Sequence, residues 1–352
     1  MKTIKDLDIK GKTILVRVDY NVPTKDGKVT SNLRIRASLP TINYLLEHGA
    51  KQIFLISHLG RPEGQPNPDF TLSPVTDSLR KLLPNQKIGF YPLPTPDDTP
   101  KIPEDIKIAL LENLRFDPGE EANAKDFIKT IIDAVKADAY VQDGFAVIHR
   151  AHASTDAVKN FLPIYAGLLL EKEVGNLESA TKHPEHPILL IIGGAKVDDK
   201  QPLIDKFASK ADQIVVGGKI AADGYKSNDK KIYVAEDFDE NAEGQKLDIG
   251  PLATAKIAGL VTDAKTIIWN GLLGYAEDPA YATASTITAE IIGEKPLDEA
   301  TTIICGGDTT GFVEKLMEDH PNLHYSLVST GGGASLEFLL GKKLPGLESI
   351  KE

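Results

Sequence analysis

Short runs of apolar, often β-branched residues recur along the chain, and stretches with helical periodicity fill the gaps between them. In the first half the runs fall at 13–18, 52–57, 87–91, 106–111 and 139–142. In the second half they fall at 188–192, 213–216, 231–234, 266–269, 301–305 and 325–328. Most are continuous rather than alternating, as suits strands buried on both faces of a parallel sheet. Residues 35–47 are apolar at helical spacing, and Ser73-Pro74 reads as an N-cap followed by proline at the first helical position. This alternation predicts an α/β fold, and two such series in succession predict two Rossmann-like, doubly wound parallel-sheet domains. One long helix without strand signal is predicted over 161–182, leading from the first domain, 1–160, to the second, 183–335. The His183-Pro184-Glu185-His186-Pro187 turn ends that helix and reads as a proline-bounded surface loop rather than a metal-binding pair.

Composition narrows the classes of function. A chain of 352 residues, 41% hydrophobic and 26% charged, is globular and long enough for two cores. Its net charge of −11 argues against a nucleic-acid partner, which favours a basic face. Any anion site must therefore come from local clusters of basic residues. A single cysteine, Cys305, excludes an internal disulfide and fits a reducing compartment. Residues 1–8 contain no signal-peptide core, and the apolar run 188–192 is too short to span a bilayer. The expectation is a cytoplasmic protein without a membrane partner.

Candidate chemistry gathers just after the strands, where α/β domains hold their ligands. In the first half these positions supply Asp19 and Asn21, then His58 and Arg61, then Arg115, then Arg150, while Arg34 opens the first helix. Guanidinium forks match the paired oxygens of phosphate and carboxylate. Arginines gathered at one sheet edge without acids beside them call for an anion. The second half offers glycines instead: Gly193-Gly194, Gly217-Gly218, Asn270-Gly271, Gly306-Gly307 and Gly331-Gly332-Gly333. Such loops let the backbone approach phosphates closely, with the N–H groups of helix starts pointing at them. Lys196 and Lys200 lie one helical turn apart and could both face phosphate oxygens. Asp308 reads as a helix N-cap or a hard-oxygen ligand for Mg²⁺. No Walker A loop is present, because Asp6 stands where the first glycine before Gly11-Lys12-Thr13 would be. The protein-kinase catalytic loop and a covalent-nucleophile constellation are absent as well.

With these blocks in this order, the chain resembles phosphoglycerate kinases over essentially its whole length. The resemblance rests on Arg17 to Pro23, Arg34-Ile35-Arg36, Ser57 to Pro62, Glu112 to Phe116, His149 to Thr155, Gly193 to Lys200, Asp248 to Pro251, Trp269 to Gly274, Gly307-Asp308-Thr309 and Ser329 to Glu337. It implies a monomeric glycolytic kinase that moves a phosphoryl group between 1,3-bisphosphoglycerate and ADP, giving 3-phosphoglycerate and ATP after hinge closure. It also implies an interdomain helix and a C-terminal tail, 336–352, that packs back on the first domain. By this resemblance Asp19, Asn21, Arg34, His58, Arg61, Arg115 and Arg150 hold phosphoglycerate. Gly194, Lys196, Lys200, Gly217, Gly218, Asn270, Glu277, Gly307, Asp308 and Thr309 hold the Mg²⁺-nucleotide, with Glu277 on the ribose and Asp308 on the metal. Arg34, Lys196, Gly332 and Gly333 attend the transferring phosphoryl group. The chain departs from the family pattern between Gly218 and Asp248, where it is shortened and lacks the usual tryptophan; Leu272, Gln142 and Gly144 replace the usual Pro, Asn and Ala. That shortened stretch borders the family's base pocket and leaves a second reading, a non-catalytic nucleotide- or metabolite-binding relative.

Overall fold

Every apolar run marked in the sequence becomes a strand, and all but the short hairpins lie in two six-stranded parallel sheets. A computed structural model describes residues 1–350. Two compact units emerge, one formed by Met1–Lys172 with Lys343–Glu352 and the other by Glu173–Lys342.

In the first unit β1 (Thr13–Arg17) is followed by a hairpin of β2 (Thr24–Lys25) and β3 (Lys28–Val29). Its turn, Asp26-Gly27, has positive φ at both residues, as a tight hairpin requires. Then come α1 (Leu33–Glu47), β4 (Gln52–Ile56), α2 (Ser73–Leu82), β5 (Ile88–Tyr91) and β6 (Ile108–Leu111). The unit continues with α3 (Pro118–Glu121), α4 (Lys125–Val135), β7 (Ala139–Gln142), β8 (Ile164–Ala166) and the start of α5 (Leu168–Lys182). The sheet order is β5-β6-β4-β1-β7-β8. Alternate residues Ile14 and Val16 of β1, with Ile53 and Leu55 of β4, pack against Ile35, Ile42 and Leu45 of α1 and Val75 and Leu79 of α2.

In the second unit β9 (Ile188–Ile192), α6 (Val197–Ala208), β10 (Gln213–Val216), α7 (Gly218–Ala222) and β11 (Ile232–Val234) precede a separate antiparallel hairpin. That hairpin is β12 (Phe238–Glu240) and β13 (Lys246–Ile249). After it come α8 (Pro251–Asp263), β14 (Thr266–Asn270), α9 (Thr283–Gly293), β15 (Thr301–Cys305), α10 (Gly307–Asp319), β16 (Leu327–Val328) and α11 (Gly333–Leu339). The sheet order is β11-β10-β9-β14-β15-β16. Its core sets Leu189, Ile191, Ile267, Trp269 and Ile304 against Ile257 and Val261 of α8, Ile292 of α9 and Val313 of α10. Cys305 is free and buried here, and burial pushes its thiol up to about 11, so it is an inert packing residue. Among the described residues, no helix is long and apolar enough to cross a membrane.

Several expectations are corrected. The helix expected from 161 starts only at Leu168, because Ile164–Ala166 form β8 and pair in parallel with β7. Pro163 favours an extended approach, and its carbonyl accepts a hydrogen bond from Tyr140 N at 3.0 Å. Ser73 is not the cap of α2: the N-cap is Leu72, whose N–H donates to the Glu112 carboxylate at 2.9 Å, and Thr71 Oγ1 donates to the same carboxylate at 2.7 Å. A distant acid thus holds the N-cap residue, and Thr71 Oγ1 accepts from Ser73 N at 3.2 Å. The final helix, α12 (Pro345–Glu348), joins the first unit, where Gly346 N donates to Ile148 O and Ser349 Oγ to Thr155 O. The chain counts with the first unit only from Lys343; α11 belongs to the second, and positions 351 and 352 of the expected tail lie outside the described residues.

The N-terminus of α5 rests on one buried carboxylate. Asp143 Oδ1 accepts from Leu169 N at 3.0 Å and Leu170 N at 3.4 Å, while Oδ2 has no hydrogen-bond partner. Burial pushes Asp143 up to about 7, only partly opposed by those hydrogen bonds and one with Thr41. An unfolded aspartate titrates near ~3.9. Between those two values the folded state holds the extra proton, so stability falls as pH rises through this window. Asp143→Asn keeps the acceptor for α5 and removes the titration. Urea unfolding of the first unit should depend less on pH between about 4 and 7 in this variant than in the parent; equal slopes would refute the assignment.

Candidate active site

Both sheets reverse direction at their centres. From β1 the sheet grows toward β4 and from β7 toward β8; in the second unit it grows from β9 toward β10 and from β14 toward β15. At such points the connections diverge and leave a crevice beyond the strand ends. Each crevice carries one of the two candidate clusters.

In the first unit, Arg17 ends β1 with 1% of its surface exposed. Its Nε donates to Ser154 Oγ at 2.9 Å, one terminal nitrogen donates to Val18 O, and the other lies 3.2 Å from His58 Nδ1. His58 follows β4 and is buried. Arg115 lies in the turn after β6, where Asn113 Oδ1 accepts from Arg115 N, and its guanidinium donates to Gly60 O at 2.7 Å. Asn21 Oδ1 accepts from Gly60 N at 2.9 Å, tying the Asp19–Asn21 loop to the His58–Arg61 loop. Gly60 has φ +61°, and a Cβ there would strike the Phe70 ring, so the close approach requires glycine.

The crowded cations act on one another. Burial first, then Arg17, Arg115 and Arg34, hold His58 well below its ordinary range. Burial and Arg115, Arg17 and Arg150 bring His152 down to about 4. Burial likewise lowers Arg115. The arginines are not all without acids, as the sequence suggested. Arg34 pairs with Asp19, and Arg115 Nε lies 3.0 Å from Glu121 Oε1, though without hydrogen-bond geometry. Arg61 and Arg150 are exposed; Arg150 Nε donates to His149 Nε2 at 3.3 Å. The structure therefore brings Asp19, Asn21, Arg34, His58 and Arg115 together, with Arg150 near enough to act on His152, and leaves Arg61 on the rim.

In the second unit a cleft of about 440 Å³ is lined by the expected Gly194, Lys196, Lys200, Gly218, Glu277, Gly307, Asp308 and Thr309. Its floor is backbone packed on backbone. Gly193 N donates to Asn270 O at 3.1 Å and Gly194 N to Leu272 O at 2.8 Å. A Cβ on Gly193 would come inside 3.0 Å of the carbonyl oxygens of both Leu272 and Gly271. Lys200 donates to Asn270 Oδ1, and burial lowers its ammonium. Asn270 itself lies behind the cleft wall, as does Gly217. Gly271 N donates to Thr309 Oγ1 at 2.9 Å, fixing the start of α10 against the end of β14.

Two positions differ from the sequence reading. Lys196 does not share a helical turn with Lys200; it is the extended N-cap residue of α6. Asp308 is not an N-cap, a place taken by Gly306, but sits in the first turn of α10 with its carboxylate on the cleft. Gly332 and Gly333, expected at the transferring phosphoryl group, open α11.

The sequence reading missed two groups. Arg17, Ser154 and Glu120 form the buried backing of His58 and Arg115. The hairpin β12–β13 lies at the end of the shortened stretch and supplies Phe238, Lys246 and Leu247 to the cleft, with Lys246 Nζ 4.4 Å over the Phe238 ring. Its turn was marked by Asn241 and Gly244: Asn241 Oδ1 accepts from both Glu243 N and Gln245 N.

The family model for phosphoglycerate kinase matches residues 4–243 and 222–342. The chain belongs to the phosphoglycerate kinase family. It is 38% identical to the phosphoglycerate kinase of Fervidobacterium nodosum, covering 99% of this chain and 98% of that one. It is 39% identical to that of Moorella thermoacetica, with 99% of each chain covered. Among solved structures, phosphoglycerate kinase from Coxiella burnetii has a TM-score of 0.81 at 31% identity, covering 99% of this chain and 98% of that chain. The enzyme from Pyrococcus horikoshii has a TM-score of 0.84 at 26% identity over the same shares. The chain is thus a glycolytic kinase of two parallel-sheet α/β domains, and a non-catalytic role is not favoured. The two matched stretches overlap at 222–243, within the part that is shortened here.

Proposed function

We propose that the arginine–histidine cluster holds 3-phosphoglycerate or 1,3-bisphosphoglycerate and that the cleft of the second unit holds ADP or ATP with Mg²⁺. The observation that carries this reading is the pairing of chemistries. One crevice offers guanidinium and imidazole donors for a small polyanion. The other offers a glycine floor, Lys196, Lys200 and an acid, Glu277, suited to ribose hydroxyls.

In the glycolytic direction a β-phosphate oxygen of ADP bonds to the acyl phosphorus. The bond from phosphorus to the carboxyl oxygen breaks, and its electron pair leaves on the carboxylate. The attacking oxygen carries no proton at neutral pH, so alignment and charge neutralisation do most of the catalysis. Lys196, with Arg34 and the N–H groups of Gly332 and Gly333, is the proposed support for the moving phosphoryl group. Transfer requires the units to bring their ligands together, so each turnover includes a closing step that also excludes water.

The residues present suit Mg²⁺. Asp308 offers one carboxylate on the cleft wall, and among the described residues no group of three ligating side chains forms a cage. That arrangement fits an ion held by one carboxylate, phosphate oxygens and waters. Mg²⁺ would neutralise the phosphate oxygens as charge moves between them. The proposal sets this activity in the cytoplasm, with one chain sufficient because all the named ligand groups come from it.

The test is a coupled assay with 3-phosphoglycerate and MgATP, run beside calorimetric binding of each ligand. Turnover that needs both substrates is expected. A folded protein that binds nucleotide without turnover would overturn the reading.

A further inference from the structure

We infer that Arg17 is a positioning residue that locks His58 in one tautomer, Nδ1 bare and Nε2 protonated, so that His58 meets its ligand as a neutral donor. Each proton along a buried chain of hydrogen bonds has a fixed direction. An ionised carboxylate only accepts hydrogen bonds and a guanidinium only donates them. Glu120, fully buried, accepts from Ser154 N at 3.0 Å and from Ser154 Oγ at 2.5 Å. With its own proton committed to Glu120, Ser154 Oγ can accept only from Arg17 Nε, at 2.9 Å. Arg17 then points a second donor at His58 Nδ1, at 3.2 Å. An N–H on Nδ1 would face this N–H directly. The remaining proton of the neutral ring must therefore sit on Nε2.

A third donor from Arg17, to Val18 O, fixes the guanidinium plane. Arg17 thus has no freedom to turn away, and its charge answers that of Glu120 through Ser154. Each group facing His58 favours the neutral ring. Arg17 on β1, Arg34 on α1, Arg115 after β6 and His152 after β7 all disfavour a further positive charge, as does burial. The acids nearby are already engaged: Asp19 with Arg34, Glu121 with Arg115, and Glu120 with Ser154.

The consequence is functional. The opposite tautomer would turn a lone pair toward an anion, whereas the locked one presents an N–H. Only this last step rests on the proposed role of His58 in holding phosphoglycerate.

The test begins with the ligand-free protein, labelled with ¹⁵N-histidine and examined by long-range ¹H–¹⁵N correlation, with His58→Gln identifying the signal. A bare Nδ1, a protonated Nε2 and no titration between pH 5 and 8 are expected. A protonated Nδ1, or an imidazolium at pH 7, would overturn the inference whatever ligand the site holds. In Arg17→Met the Nδ1 signal should move toward that of a tautomer mixture. KM for 3-phosphoglycerate should rise roughly tenfold, with kcat changed much less. A variant that retains both the wild-type nitrogen signature and KM would equally refute the role of Arg17. Should the variant not fold, the wild-type spectrum decides alone.

Discussion

Lys196→Ala should lower kcat by about 10²- to 10³-fold, the loss seen when one preorganised donor to developing charge is removed. The backbone explains why this lysine and not its neighbour carries the effect. Lys196 is extended, with φ −119° and ψ 115°, and its exposed side chain lines the cleft at the entrance to α6. Lys200 is already committed to Asn270 Oδ1 and partly desolvated. Because Lys196 belongs to the second unit, KM for 3-phosphoglycerate should change little. Turnover measured with both substrates saturating decides the matter, and near-native kcat in the variant would remove Lys196 from the proposed role.

The second large effect is on stability. Gly193→Ala places a methyl group against two backbone oxygens, those of Leu272 and Gly271. The Leu272 oxygen also holds the Gly194 N–H, so neither partner can retreat without opening the floor of the cleft. Overpacking of this kind costs about 3 kcal/mol. In a unit of this size that corresponds to a melting temperature lower by roughly 6–12 °C. Calorimetry should show the loss in the second unit's transition, together with weaker protection by nucleotide. Binding of 3-phosphoglycerate to the first unit should persist. An unchanged transition would mean that the approach of β9 to the Asn270–Leu272 turn is softer than the packing indicates.

How much of this was legible depended on whether neighbours in sequence or neighbours in space set the outcome. The runs 188–192, 213–216 and 301–305 match strands end to end, because five or so apolar residues between polar turns have few other fates. Ile164–Ala166 did not announce itself: three residues become a strand only because β7 offers them a ladder. At the start of α2, Thr71 receives Ser73 N locally, but the Glu112 carboxylate that holds Thr71 and Leu72 is forty residues away and has no local signal. The same division holds at the site. Arg34, His58 and Arg115 stand out as polar residues in conspicuous blocks. Arg17 reads as the end of a strand, and its importance appears only once Ser154 and His58 are seen against it. Phe238 and Lys246 are obscure for another reason: their strands are short and largely polar, and only the Asn241 to Gly244 turn marks the hairpin.

The return of α12 to the first unit has a consequence for synthesis. Gly346 and Ser349 hold the backbone at Ile148 and Thr155, on either side of the segment that carries His149, Arg150 and His152. A ribosome adding about 5–20 residues per second delivers that clasp on the order of ten seconds or more after the rest of the unit has emerged. Until then the nascent unit has a sheet and a core but an unfastened segment from Ile148 to Thr155. A chain stopped short of Lys343 would therefore resemble the finished one in bulk spectroscopy while the backbone from Ile148 to Thr155 lacks its fastening, which makes translation of these few residues a late checkpoint on local order.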